Sequence, residues 1–526
     1  MSGQLSRSQS VSKRVVRTAG GVVAAQHRLA AEAGAEVLRA GGDAVDAAVA
    51  CSFALGVLEP WMSGPAGGGA AVHWRADTGE ATAINFGMRS PAGLDPRDYP
   101  LSGEGVADDL FPWERVEGDR NVRGATAIAV PGTVEGLGVA HARWGRMPWA
   151  ELLAPAIAHA RRGLLVDWYA ALLIASATRE LAEDADAAAL FLEGGRWPTI
   201  SGWTALAEKR LDQGRMADSL DTLARGGPRA FHEGDLATAL AADVRDKGGS
   251  LSAADLSAYR SWIGPALAVP YRDALCHAVP GLTAGPTFAR TMALLSEADL
   301  ATPAEACVAH ARALGTAQGE RLGAMGDDGE VPEAPACTTH FSVVDRAGNV
   351  VAHTQTLLSI FGSRVVSPST GFLMNNGIMW FDPVPGRPNS LGPAKACLMN
   401  VCPVIGARGD VRFGLGASGG RKILSAVAQL ASFAIDDRMD LEAAFHRPRI
   451  DASTAGRVIA DERLPREALD RLAAEIETVT APSTVMPYAF ACAAGVMREG
   501  GLNGGCTEIM SPWGDAACED DVRDEV

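Results

Sequence analysis

The chain has 526 residues, 47% hydrophobic and 21% charged, with 47 Lys and Arg against 63 Asp and Glu for a net charge of −16. That profile excludes wholesale disorder and a fibrous protein, and the acidic excess disfavours nucleic acid or an anionic membrane as a partner. Nine scattered cysteines without a C-x-x-C pair favour buried reduced thiols over a disulfide framework or zinc site. The N-terminus shows no apolar h-region, so the expected location is cytoplasmic.

In chain order, Leu29–Arg39 predicts a helix stopped by Gly41-Gly42. Asp43 then caps a nearly all-apolar helix, Ala44–Leu55, which must be buried; through Leu58 it is still too short to span a bilayer. A glycine-rich turn, Gly64–Gly69, feeds a strand at Ala70–Trp74. Ser102–Gly124 reads as loop, and Trp149–Gly163 and Trp168–Phe191 read as helices. Gln318–Cys337 is rich in Gly, Asp, Glu and Pro and reads as an exposed flexible segment. Thr338–Val344 and Val350–Leu357 form a predicted hairpin around Asp345–Asn349, with Val344 opposite Val350 and Thr338 opposite Thr356 unless a bulge shifts the pairing. From Val411 a strand leads through Gly419-Gly420 into a helix with Ile423, Val427, Leu430 and Ala434 on one face. The acidic end, Glu519–Glu525, reads as a solvated tail.

Gly414-Leu-Gly416-Ala-Ser-Gly419 formally matches G-x-G-x-x-G, with Asp436 where a ribose-binding acid would stand, but no doubly wound series surrounds it. A glycine turn at a helix start has another use. Its backbone N–H groups can face developing negative charge, which makes Gly419 and Gly420 candidates for an oxyanion hole. Thr338 begins a strand just after the Gly- and Pro-rich segment. Its hydroxyl could attack the preceding carbonyl, and cleavage after Cys337 would leave Thr338 with a free α-amine able to act as base at neutral pH. Thr356 could orient that hydroxyl; β propensity alone also accounts for a pair of strand threonines. His340 and His353 are expected in hairpin packing rather than in a metal site.

Over almost its whole length the chain resembles the γ-glutamyltransferase family of N-terminal-nucleophile hydrolases. The residues that carry this are Gly41-Gly42-Asp-Ala-Val-Asp-Ala-Ala48, Ser63-Gly64 with Gly67–Gly69, and Val130–Thr133. They continue with Thr338–Asp345, Phe361–Ser363, Asn375-Asn376 and Ser418–Gly420. The resemblance implies an α+β fold, a four-layer αββα sandwich. It also implies autocleavage between Cys337 and Thr338 into a large subunit, 1–337, and a small one, 338–526. Thr338 is the implied nucleophile, Thr356 its partner, and Gly419 and Gly420 the oxyanion hole. No metal or cofactor is expected.

The departures concern the substrate. Leu358 stands where the γ-glutamyl enzymes carry Asn, Gly377 and Trp380 where they carry Gln and Asp, and Met399-Asn400 where they carry Ser-Ser. The arginine expected near Gly87 is missing, although Arg89 follows two residues later. A γ-glutamyl zwitterion would leave charges unpaired against such side chains. Thr354–Leu358 and Met374–Pro383 are instead similar to oxamate-amidohydrolase-type members, and to alkylproline-pathway relatives that hydrolyse a C–C bond. Ala396-Cys397 departs from that branch too, where Arg-Pro is expected. The expected substrate is a small carboxylate-bearing molecule, with Arg89, Leu358, Trp380 and Asn400 as substrate-binding candidates. A true γ-glutamyl hydrolase or transpeptidase and a catalytically silent homologue are the alternatives. A homodimer of processed heterodimers is the assembly to test.

Overall fold

Two seven-stranded antiparallel sheets face each other, with helices covering the outer face of each, as the αββα expectation requires. The computed structural model describes residues 10–107, 113–202, 207–325, 336–486 and 488–520. One sheet runs Asp515–Cys518, Val22–Ala25, Ala336–Val344, Val350–Ser359, Gly68–Trp74, Ala81–Phe86, Trp262–Pro265. The other runs Val16–Thr18, Leu502–Thr507, Cys492–Glu499, Val411–Ser418, Val404–Arg408, Ala274–Ala278, Leu267–Tyr271.

The first sheet is backed by the helices Arg28–Arg39 and Ala44–Leu58. Asp43 accepts the Val45 and Asp46 N–H groups while Asp46 returns a bond to the Asp43 N–H, a capping box that fixes where the second helix begins. All its residues are buried, as an all-round apolar helix demands. Lys422–Ile435 packs against the second sheet with every residue from Ile423 onward buried. None of the described helices is long and apolar enough to cross a membrane.

The central strands alternate cleanly. Phe341 and Val343 join the core that includes Ala44–Leu58, whereas His340 faces the opposing sheet. His340 bonds Thr354 Oγ1 at 2.8 Å and Ser342 Oγ at 2.9 Å, and burial holds it well below the usual histidine range, hence neutral. Gly414 and Gly416 lie within the strand Val411–Ser418, so they form no phosphate cradle; a Cβ at Gly416 would overlap the His340 ring.

Four expectations change. Trp168–Phe191 is three helices, Trp168–Ser176, Thr178–Leu181 and Ala185–Phe191. Ser176 and Thr178 hydroxyls compete for the carbonyls of Leu173 and Ile174, and Asp184 caps a fresh start at the Ala187 N–H. Within Ser102–Gly124, Leu101–Val106 pairs with Glu114–Val116 as a small hairpin. Gln318–Met325 belongs to the long helix Pro303–Met325, held there by buried Arg321, which donates to the Thr283 and Met399 carbonyls; residues 326–335 lie outside the described ones. At the C-terminus Glu519 accepts the Gly21 N–H and pairs with Arg346, so only the part of the acidic end beyond residue 520 is left undescribed.

Gly416→Val should destabilise the fold by about 3 kcal/mol, since sheet and ring must separate. Gly315→Ala, exposed on Pro303–Met325 with nothing within 4 Å of a new Cβ, should stabilise it by about 0.5–1 kcal/mol. Urea unfolding of the two variants checks both signs.

Candidate functional site

Pairing from Val344↔Val350 to Thr339↔Gln355 follows the predicted register, and then shifts so that Cys337 pairs with Leu358. Thr338 therefore faces both Thr356 and Leu357 across a bulge. Thr338 Oγ1 lies 3.3 Å from Thr356 Oγ1, which also accepts the Leu358 N–H at 2.8 Å. Leu358 takes φ +90°, a backbone conformation that costs a bulky side chain about 1–3 kcal/mol. The glycine run explains how the next strand comes so close: a Cβ at Gly67 or Gly69 would strike the carbonyl of Thr356 or Thr354.

Gly419 and Gly420 turn the chain from the strand Val411–Ser418 into Lys422–Ile435, both at positive φ. Neither amide N–H has an acceptor among the described residues. Two backbone donors at a helix start can stabilise an oxyanion.

Leu358 and Trp380 join one buried apolar cluster with Met88, Cys397 and Met399. A Cβ on Gly87 would stand 2.5 Å from Met399 Cε, so a thioether occupies the space beside the position where an arginine was expected. Trp380 is 2% exposed and its indole N–H has no acceptor among the described residues. Asn400 is half-buried at the cluster's edge, next to Met399. Arg89 is not in the cluster. It is exposed, its guanidinium sits 5.8 Å from the centre of the Tyr259 ring, and no carboxylate pairs with it among the described residues. Tyr259 in turn donates to the Gly87 carbonyl.

The Asn375-Asn376 pair is fastening. Asn375 bridges the Ala66 and Ala129 carbonyls to the Ala129 and Gly377 N–H groups, and Asn376 ties Val122 to Ser359. Asp382, fully buried, pairs with Arg387 and caps the Val384 N–H. Among the described residues no three His, Cys, Asp or Glu side chains converge as metal ligands.

Two buried polar residues beside the threonines escaped the sequence reading. Glu59 ends the apolar helix and lies 3.2 Å from Thr339 Oγ1; burial lifts its carboxyl to about 8, with the Thr339 hydroxyl pulling the other way. Gln26 bonds Thr339, Ser418 and the Cys492 carbonyl. A lone acid closing an otherwise apolar run was the available signal for Glu59; for Gln26 no local pattern existed.

Residues 30–335 and 323–509 match the family model described as Gamma-glutamyltranspeptidase. The chain belongs to the gamma-glutamyltranspeptidase family. As a member it is a hydrolase of the N-terminal-nucleophile type. It is 34% identical over 494 residues to the Acylase ACY 1 proenzyme of Pseudomonas sp. (strain V22), covering 86% of each chain. It is 31% identical over 510 residues to the Glutathione hydrolase proenzyme of Bacillus subtilis (strain 168), covering 86% of this chain and 84% of that one. The cephalosporin acylase of Bacillus halodurans shares the fold at a TM-score of 0.82 and 24% identity, over 98% of this chain and 99% of that one.

Because the folded state keeps Glu59 protonated to about pH 8 while an unfolded carboxyl ionises near 4.3, stability must fall as pH rises between those values. Glu59→Gln removes that loss. Its stability relative to the parent chain should rise by at least about 1 kcal/mol between pH 5 and pH 8.5 in urea melts.

Proposed function

We propose that this family member is a self-processing acylase that cleaves between Cys337 and Thr338 and then works through Thr338. In maturation Thr338 Oγ attacks the Cys337 carbonyl and the resulting ester is hydrolysed, leaving the chain as 1–337 and 338–526 with a free amine on Thr338. In turnover that amine takes the Oγ proton as the oxygen attacks the substrate acyl carbonyl. Thr356 orients the attacking oxygen, and the Gly419 and Gly420 N–H groups donate to the oxyanion. The proton passes to the leaving group, and water, deprotonated by the same amine, hydrolyses the Thr338 ester.

The reading of the substrate rests on the Met399 thioether beside Gly87, with Leu358 and Trp380 closing the same wall. That wall offers a γ-glutamyl zwitterion no charged partner and suits a small acyl group. The Trp380 N–H, buried without an acceptor among the described residues, fits the second carbonyl of an oxalyl or other dicarbonyl unit. Arg89 and Asn400 are assigned to the carboxylate end. The bond broken is then an oxamate-like amide, or a C–C bond of the alkylproline-antibiotic type in which a carbanion leaves and must be protonated. The 34% identity to an acylase proenzyme supports an amide.

Intact mass of the purified protein should give two chains meeting between Cys337 and Thr338, and Thr338→Ala should stay whole. Among oxalyl, glutaryl and γ-glutamyl p-nitroanilides, the oxalyl compound should be hydrolysed at least about 10-fold faster than the γ-glutamyl one. Activity should rise with pH through about 7.7–8.0 as the α-amine deprotonates. Trp380→Phe should lower kcat/KM on the oxalyl anilide about 10-fold, the loss expected for one buried hydrogen bond. One uncleaved chain in both proteins would favour a silent homologue, and faster γ-glutamyl hydrolysis a true γ-glutamyl enzyme.

A further inference from the structure

Gln26 follows the last residue of the strand Val22–Ala25 and is 3% exposed. Its amide nitrogen donates to Ser418 Oγ at 2.9 Å and to the Cys492 carbonyl at 2.7 Å, both on the opposing sheet. Its amide oxygen stands 3.3 Å from Thr339 Oγ1 on its own sheet. Thr339 adjoins Thr338, and Ser418 adjoins Gly419. One side chain thus grips the neighbour of the candidate nucleophile and the neighbour of the candidate oxyanion turn, across the gap between the sheets. Glu59 closes the far end, 3.2 Å from the same Thr339 hydroxyl. The Thr339 hydroxyl is within donating distance of both the Gln26 amide oxygen and Glu59 Oε2, and the Ser418 hydroxyl donates back to the same amide oxygen at 3.1 Å. Each member of the array is tied to its neighbours by side-chain bonds, which stiffens it.

We propose that Gln26 is a positioning residue that fixes the distance between Thr338 and the Gly419–Gly420 N–H groups, with Glu59 anchoring it through Thr339. This rests on the reading of Thr338 as nucleophile. Nucleophile and oxyanion donors stand on different sheets, so their separation is set by whatever ties the sheets together beside them. A displacement of about 1 Å there is enough to slow acyl transfer about 100-fold.

The probe is p-nitrophenyl acetate, an activated ester that needs no specific acyl pocket. Acylation forms the Thr338 acetyl ester and releases one p-nitrophenolate per site as a burst. Gln26→Leu and the isosteric Thr339→Val should each lower the limiting burst rate constant about 30- to 100-fold, with the half-saturating ester concentration unchanged. Thr339→Ser, which keeps the hydroxyl, should restore most of the rate. If Gln26→Leu fails to fold, Thr339→Val against Thr339→Ser carries the test alone. Parent-like burst rates in Gln26→Leu and Thr339→Val, or equal losses in Thr339→Val and Thr339→Ser, would overturn the positioning role while leaving Thr338 intact. A burst that survives in Thr338→Ala, or is missing from the parent enzyme, would instead remove the nucleophile, and this inference would fall with it.

Discussion

Backbone pairing in the central hairpin runs undisturbed from its turn to Thr339 and then slips, because two residues of one strand oppose one of the other at Thr338. A regular ladder would hold every side chain in a fixed alternation and leave each backbone group committed to its opposite number. The slip brings the two threonine hydroxyls to 3.3 Å and throws Leu358 into a left-handed backbone conformation. That conformation persists because its surroundings impose it. Thr356 holds the Leu358 N–H, and Asn376 holds the Ser359 N–H just beyond. The rest of the site is arranged around this one irregularity.

The enclosing layers are built to tolerate it. Strands rich in Gly, Ala and Thr lie so close that glycine is the residue able to fit at several crossings. His340 spends both ring nitrogens on hydroxyls of its own hairpin, and burial keeps it neutral. Leu358, whose N–H is held by Thr356, leads from the threonines into the apolar cluster that contains Trp380 and Met399.

Much of this was legible in the linear chain. The helix Ala44–Leu58 announced its burial by being apolar all round, and turn length alone gave the hairpin register as far as Thr339, but not the slip at Thr338. Gly419-Gly420 could be placed because a strand pattern ran directly into a helical one. What was not legible depends on contacts distant in sequence. Gln26 and Ser418 are 392 residues apart, and nothing in either neighbourhood signals the other. The breaks within Trp168–Phe191 turned on hydroxyls competing with the helix for its carbonyls, a contest that periodicity does not see. Gln318–Met325 looked like loop by composition, yet buried Arg321 keeps it helical.

Strand order carries a last consequence. Val22–Ala25 is hydrogen-bonded on one side to Asp515–Cys518 and on the other to Ala336–Val344, and the opposing sheet likewise mixes strands from before and after Thr338. A chain cut at that point would yield pieces that cannot be lifted apart, because each completes the other's sheets. Dissociation and unfolding would become the same event. Refolding would turn from a first-order search into a second-order encounter between two incomplete partners, slower as the protein is diluted and exposed meanwhile to aggregation. The cleaved form would owe its persistence to slow unfolding rather than to an equilibrium it could readily re-establish.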